Sequence, residues 1–315
     1  MEQLTNLVLP IFSVMLCGYL AGRLKILGQE SSYALNSFVY YFAMPLLLFK
    51  AVAGTDLRSI LDLSFILVVL IPQFVVHAAW VLIGVWWFKR PLGELMIEGL
   101  AASWANTVYM GFPLALTAFG DAAIPALVIV AIIQPPIFFI ATMVILDYSA
   151  GRDARVSALQ ALASSLKSFL RNPATIAIVA GGVVSGFSID LVPAVSRFVE
   201  ILSPAAAPCA LFAIGLFLSM QKISSDLPMV SLLTFIKLIL CPLLVWLCAM
   251  IAASWGFVQD PLWIKVALLL AATPTGTMVF VIAQKYRLAQ ARSSSAILLS
   301  SVLSVVTISV LLNWL

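Results

Sequence analysis

Charge is scarce in this chain. Only 10% of its 315 residues are Asp, Glu, Lys or Arg, and there is one histidine. A soluble domain carries about a quarter charged residues, because its surface has to hydrogen-bond to water. So little polar cover cannot wrap a globule in which 63% of residues are hydrophobic, whereas lipid removes the need for it. The formal net charge of +4 is too small and too scattered to suggest a nucleic-acid partner. Cys17, Cys209, Cys241 and Cys248 stand inside apolar runs without CxxC or Cys/His spacing, and read as buried small hydrophobes. No metal or nucleophile constellation is present, so an intramembrane enzyme and a resident cofactor are not expected.

What is there is long apolar sequence, with a mean hydropathy of +1.13. A helix needs about 20 apolar residues to cross the hydrocarbon core. Ten spans fit: 4–22, 32–53, 63–88, 96–119, 122–147, 172–189, 193–219, 229–254, 262–285 and 293–314. Met1-Glu2 followed by no basic stretch and no small-x-small site before Arg23 reads as a retained first span, not a cleaved signal. Twelve positive residues fall in loops after odd-numbered spans: Arg23, Lys25, Lys89, Arg90, Arg152, Arg155, Lys167, Arg171, Lys222, Lys285, Arg287 and Arg292. Four, Lys50, Arg58, Arg197 and Lys265, fall on the other side. This bias puts the first set in the cytoplasm and both termini outside. Segment 148–171 has apolar residues at helical spacing and reads as an amphipathic linker on the cytoplasmic face.

That linker separates two sets of five spans, 1–147 and 172–315. Span 2 has Pro45 to Phe49 and span 7 has Pro208 to Phe212, both P-x-x-L-F; Pro72 in span 3 answers to Pro242 in span 8. Five is odd, so the second set enters the membrane from the opposite side, the pattern of inverted-repeat carriers. Span 4 carries Asn106, Thr107, Tyr109, Gly111 and Pro113; span 9 carries Thr273, Pro274, Thr275, Gly276 and Thr277. Aligned, Asn106 falls on Thr273 and Tyr109 on Gly276. Proline removes a backbone donor and glycine permits unusual dihedrals, so both spans should unwind mid-membrane. Unwound backbone at that depth lines a cavity or is buried in protein. The half-helix N-termini beyond each break carry free amides and partial positive charge, which suits a carboxylate. Gln134, before Pro135-Pro136 in span 5, is placed to reach the same cavity. Lys237 in span 8 reads as snorkelling to the interface, with attraction of anions as the alternative. His77, near Gln73, reads as packed and hydrogen-bonded, with a proton relay second. Ser300, Ser301, Ser304 and Thr307 in span 10 read as allowing close helix packing. No Asp or Glu lies between Gly99 and Gly120 or between Pro261 and Arg287, which argues against carboxylate-based cation/proton antiport and leaves proton or sodium coupling open.

These residues, in this order, resemble the auxin efflux carrier family, which includes plant PIN-FORMED carriers and bacterial malonate-type permeases. The resemblance rests on Leu9-Pro10 to Gly22, Met44 to Phe49, the Asn106-to-Pro113 break with Phe119-Gly120, and Arg171-Asn172-Pro173. It continues through Ala206-Ala207-Pro208 to Gly215, Lys237 with Pro242, Ala283 to Tyr286, and Leu299-Ser300 to Thr307. Family members often have two prolines or an Asn-Pro pair at the second crossing; here it reads Thr273-Pro274-Thr275-Gly276. The resemblance implies an all-α membrane fold similar to bile-acid symporters and sodium/proton antiporters. Spans 1, 2, 6 and 7 would form a scaffold, often dimeric, and spans 3–5 and 8–10 a moving bundle. Substrate would bind where spans 4 and 9 cross. The expected function is a secondary transporter of a small organic anion, malonate-like or auxin-like, in the bacterial inner membrane. A sodium-coupled symporter of the bile-acid type and an anion channel of the same topology are the alternatives.

Overall fold

The computed structural model describes residues 7–56, 62–149, 162–163, 166–167, 169–221, 226–257 and 260–315. Twelve helices organise them: α1 Leu9–Arg23, α2 Gln29–Ala53, α3 Leu63–Phe88, α4 Leu92–Ser103, α5 Phe112–Phe119, α6 Ile124–Ser149, α7 Pro173–Gly186, α8 Pro193–Ser219, α9 Leu227–Ser254, α10 Pro261–Ala272, α11 Met278–Tyr286 and α12 Gln290–Trp314. Six described runs are long and apolar enough to cross a membrane: α2, α3, α8, α9, α12 and the stretch 107–147 holding most of α5 and α6. Helices α1, α7 and α10 are apolar but shorter, at 15, 14 and 12 residues. The linker helix expected at 148–171 lies for the most part outside the described residues.

Local chemistry sets the helix ends. The Asp62 carboxylate accepts from the amides of Ser64 and Phe65 and opens α3. Asn172 does the same for α7 through Ala174, and Asp260 for α10 through Leu262; each satisfies an amide that the helix cannot. Pro173, Pro193 and Pro261 occupy first-turn positions, where the missing N–H costs nothing.

Prolines inside helices have a different effect. The π-helical turns Val39–Ala43, Thr107–Gly111 and Ile236–Leu240 each end two residues before a proline: Pro45, Pro113 and Pro242. A proline ring collides with the carbonyl four residues back. Widening the preceding turn to i→i+5 bonding relieves the collision and leaves the helix continuous. These turns carry Tyr40, Tyr109 and Lys237.

Large apolar side chains cover the outside. Leu67, Ile71, Val75 and Leu82 along α3, Val302, Val306 and Val310 along α12, and Trp86 and Trp87 are all exposed. Water would not tolerate such a surface, and a bilayer requires it. Inside, α1 packs on α8, α2 on α7, α3 on α4 and α9, and α9 on α10. The α1–α8 contact is backbone against backbone: a Cβ on Gly18 would lie 2.0 Å from Phe212 O, and one on Gly215 would lie 1.8 Å from Met15 O. A Cβ on Gly181 of α7 would similarly lie 2.9 Å from Phe49 O of α2.

Candidate binding site

The helix α4 stops at Ser103, and Trp104 continues in extended conformation. Helix α10 stops at Ala272, and Thr273 does the same. The two extended stretches lie antiparallel and pair: Asn106 N donates to Pro274 O at 2.9 Å, and Gly276 N donates to Trp104 O at 2.9 Å. The close approach favours glycine at 276, because a Cβ there would stand 3.1 Å from Ala105 O, a main-chain atom that would have to give way slightly. The reciprocal bonds fix the register. Asn106 stands opposite Pro274, Ala105 opposite Thr275 and Trp104 opposite Gly276, so exchanging the two stretches about the Ala105–Thr275 bridge differs by three residues from the alignment expected from sequence.

Thr273 and Thr275 use their polar groups internally. Thr275 N donates to Ser300 Oγ at 3.1 Å, and Thr275 Oγ1 to Ala101 O at 2.7 Å. Ser300, read from sequence as a packing residue, therefore also holds the crossing. Thr273 Oγ1 donates to Leu270 O of its own helix at 2.7 Å. Thr273, Pro274 and Thr275 are buried away from the cavity, as are Gly111 and Pro113.

A cavity of about 270 Å³ opens beside the crossing. One wall comes from α2 and α7, with Tyr40, Met44, Leu48, Asn172 and Thr175; the other comes from Trp104 to Tyr109, Gln134 of α6, and Gly276 to Met278 with Lys285 of α11. Of the residues expected from sequence, Asn106, Thr107, Tyr109, Gln134, Gly276 and Thr277 line it. The Asn106 carboxamide is buried and has no hydrogen-bond partner among the described residues. Thr107 is held from behind: its hydroxyl donates to Gln134 Oε1 at 3.0 Å, and Gln134 Nε2 donates to Gln73 Oε1 at 2.6 Å. Buried polar chains of this kind fix orientation, because breaking one bond leaves a group unsatisfied.

Among the described lining residues, Lys285 is the one charged side chain. It follows Thr277 by eight residues, roughly 12 Å of helix rise, so it stands at the mouth. Its Nζ lies 5.2 Å from the Tyr286 ring centroid and has no described carboxylate partner. Sequence reading placed it among loop charges and missed it for the site, as it missed Tyr40, Asn172 and Thr175.

One further expectation is overturned and two are qualified. Lys237 does not snorkel: it is fully buried, and Nζ donates to Ala271 O at 2.6 Å. His77 is packed as expected, edge-on to Phe138 and against Gly99 and away from the cavity, but its buried Nδ1 has no hydrogen-bond partner among the described residues. The acid-free window also stops one residue short of Glu98, which is fully buried and bound to Arg90 and Arg292. Glu98 does not line the cavity.

Residues 3–312 match the family described as membrane transport protein. A Rhizobium meliloti (strain 1021) protein named "Putative malonate transporter" is 34% identical over 99% of this chain and 96% of its own length. "Auxin efflux carrier component 8" of Arabidopsis thaliana is 23% identical over 91% of this chain and 90% of its own. "Uncharacterized transporter YfdV" of Escherichia coli (strain K12) is 27% identical over 77% of each. The match covers both sides of the crossing and every wall of the cavity, so the chain belongs to the membrane transport protein family that includes the auxin efflux carriers, a family of integral membrane transporters and not of enzymes.

Proposed function

We propose that this protein is a secondary transporter that carries a small organic anion through the membrane by alternating access, binding it at the crossing of spans 4 and 9. The observation that carries the reading is the composition of the cavity. Unpartnered neutral donors, Asn106 and Thr277, stand beside two helix starts, and the sole described charge at the mouth is the cation Lys285. Helix N-termini and a lysine favour a carboxylate and disfavour a cation. In this reading the ten spans form two inverted repeats, 1–147 and 172–315. Spans 1, 2, 6 and 7 form the scaffold that pairs two copies, and spans 3–5 and 8–10 form the bundle that moves. The cavity faces the basic, cytoplasmic side, with both termini outside a bacterial inner membrane. Malonate is the first anion to test, given the name of the Rhizobium relative, with an auxin-like acid second.

The test is counterflow in proteoliposomes. Labelled malonate should accumulate against unlabelled anion inside, which a simple pore does not achieve. Asn106→Ala and Thr277→Ala should each reduce it by roughly ten-fold or more, the worth of a hydrogen bond to a charged group in a buried site. Wild-type counterflow with both variants unimpaired would remove the assigned site.

Lys285→Gln should act differently. A cation at a wet mouth contributes about 1 kcal/mol, or roughly five-fold in KM. Salt screens it, since the Debye length falls to about 3 Å at 1 M. KM should therefore rise in the variant at low ionic strength and converge with wild type at high salt, with the maximal rate unchanged. A salt-independent defect would mean that Lys285 acts in some other way.

A further inference from the structure

Lys237 is an ammonium in a place where a membrane protein rarely leaves one. It is fully buried, and among the described residues no carboxylate lies within ion-pair distance of it. The described acids nearest the cytoplasmic end of the bundle, Glu94, Glu98 and Asp226, are taken up by Arg90 and Arg292. A buried charge without compensation is costly, so something else must offset this one.

The compensation comes from helix ends. Helices α4 and α10 both terminate at the crossing, and each C-terminus carries unsatisfied carbonyls and a partial negative charge. The π turn Ile236–Leu240 of α9 packs on both. From it Lys237 Nζ reaches Ala271 O at 2.6 Å, and one turn on, Cys241 Sγ lies 3.9 Å from Ser103 O. The pairing of the two stretches explains why a lysine is needed. Exchanging the two antiparallel stretches about the Ala105–Thr275 bridge carries one reciprocal bond onto the other and Ala101 onto Ala271. Ala101 O receives the Thr275 hydroxyl at 2.7 Å. Ala105, the counterpart of Thr275, has no hydroxyl to give Ala271 O, and the ammonium supplies the donor instead. Converging carbonyl ends of broken helices are where transporters of this general construction hold a coupling cation.

We propose that Lys237 is a tethered monovalent cation: its ammonium occupies a carbonyl-lined cation position at the ends of α4 and α10, so the carrier works without a bound sodium ion, and removing the ammonium opens that position to small free cations. This deepens the carrier reading by assigning its coupling ion, and it rests on that reading only for the transport arm of the test. The first arm is binding. Purified wild type, Lys237→Ala and Lys237→Met are unfolded by heat in choline chloride, with sodium, lithium, potassium or methylammonium chloride added at constant ionic strength. Wild type should not respond. Lys237→Ala should unfold at a lower temperature and recover at least about half of the loss in one of the small cations, because a ligand stabilises the state that binds it. Lys237→Met keeps the volume of the stem without the charge; it is measured in the same way and decides the matter should the alanine variant fail to accumulate.

Saturable stabilisation of wild type by sodium would overturn the proposal. So would variants that match wild type, or that are weakened without rescue by any of the four cations. The second arm compares anion counterflow in sodium and in choline. Wild type should run equally in both, and the rescued variant only with the rescuing cation. If wild type moves no anion, the carrier reading fails while the binding arm still reports on Lys237.

Discussion

Gly215→Val should leave almost no folded protein in the membrane. At this position α1 and α8 touch through their backbones, and the first atom of any side chain would lie 1.8 Å from Met15 O, 2.8 Å from Met15 C and 2.9 Å from Tyr19 N. None of these atoms can rotate aside. The helices would have to separate along their length, which breaks the matching contact at Gly18 against Phe212. Overpacking a core typically costs about 1–3 kcal/mol when side chains can repack; with main chain as the obstacle the cost exceeds that. Close helix approach is also the main source of association inside lipid, where no hydrophobic force drives helices together. Gly186→Ala and Gly28→Ala are the controls, since a Cβ at either meets nothing within 4 Å. Fluorescence-detected size exclusion and thermal unfolding would read all three. A Gly215→Val protein that elutes and melts like wild type would mean that α1 and α8 do not meet in this way.

Sequence reading located the breaks because their cause is local. Pro274 and Gly276 do fall in the second break, but in the first span only Asn106 does: the extended stretch is Trp104 to Asn106, and Gly111 and Pro113 stand in the π turn and helix that follow it. Sequence reading could not see the register. The two stretches share too few residues for an alignment to find it: the alignment sets Asn106 on Thr273, whereas the backbone hydrogen bonds set Asn106 opposite Pro274 and Trp104 opposite Gly276. Nor can residue type say where a hydroxyl points. Thr277 lines the cavity while Thr273 bonds to its own helix and Thr275 to Ala101. Lys285, Asn172 and Tyr40 were missed because each has an ordinary local explanation: a loop charge, a helix cap and an aromatic in an apolar run. Only the fold, which sets α2 and α7 around the same cavity as α11, brings them together.

Glu98 is the clearest case of a residue that sequence undervalues. At the edge of an apolar run an acid reads as a boundary marker, yet this one is fully buried. Arg90 grips both of its oxygens, donating at 2.9 and 2.8 Å, and Arg292 donates to Oε1 at 2.6 Å. Arg292 also donates to Asp226 at 2.9 Å and to Glu94 at 3.0 Å. The cluster therefore ties α4 and the end of α3 to the starts of α9 and α12, across the two halves of the sequence. Removing one member of a buried pair costs about 3–5 kcal/mol, because the partner charge is left without compensation. Here the arginines are partly exposed, at 16% and 26%, and keep Glu94 and Asp226, which places Glu98→Ala at the low end, about 3 kcal/mol. Glu94→Ala should cost less, since Glu94 is 29% exposed and Glu98 remains to hold both arginines. Adding Arg90→Met to Glu98→Ala should recover part of the loss, because the orphaned guanidinium goes with it. Unfolding in mixed micelles at increasing SDS would rank the variants. A Glu98→Ala protein no weaker than Glu94→Ala would mean that burial of the pair adds nothing, and that the two halves are held together by apolar packing alone.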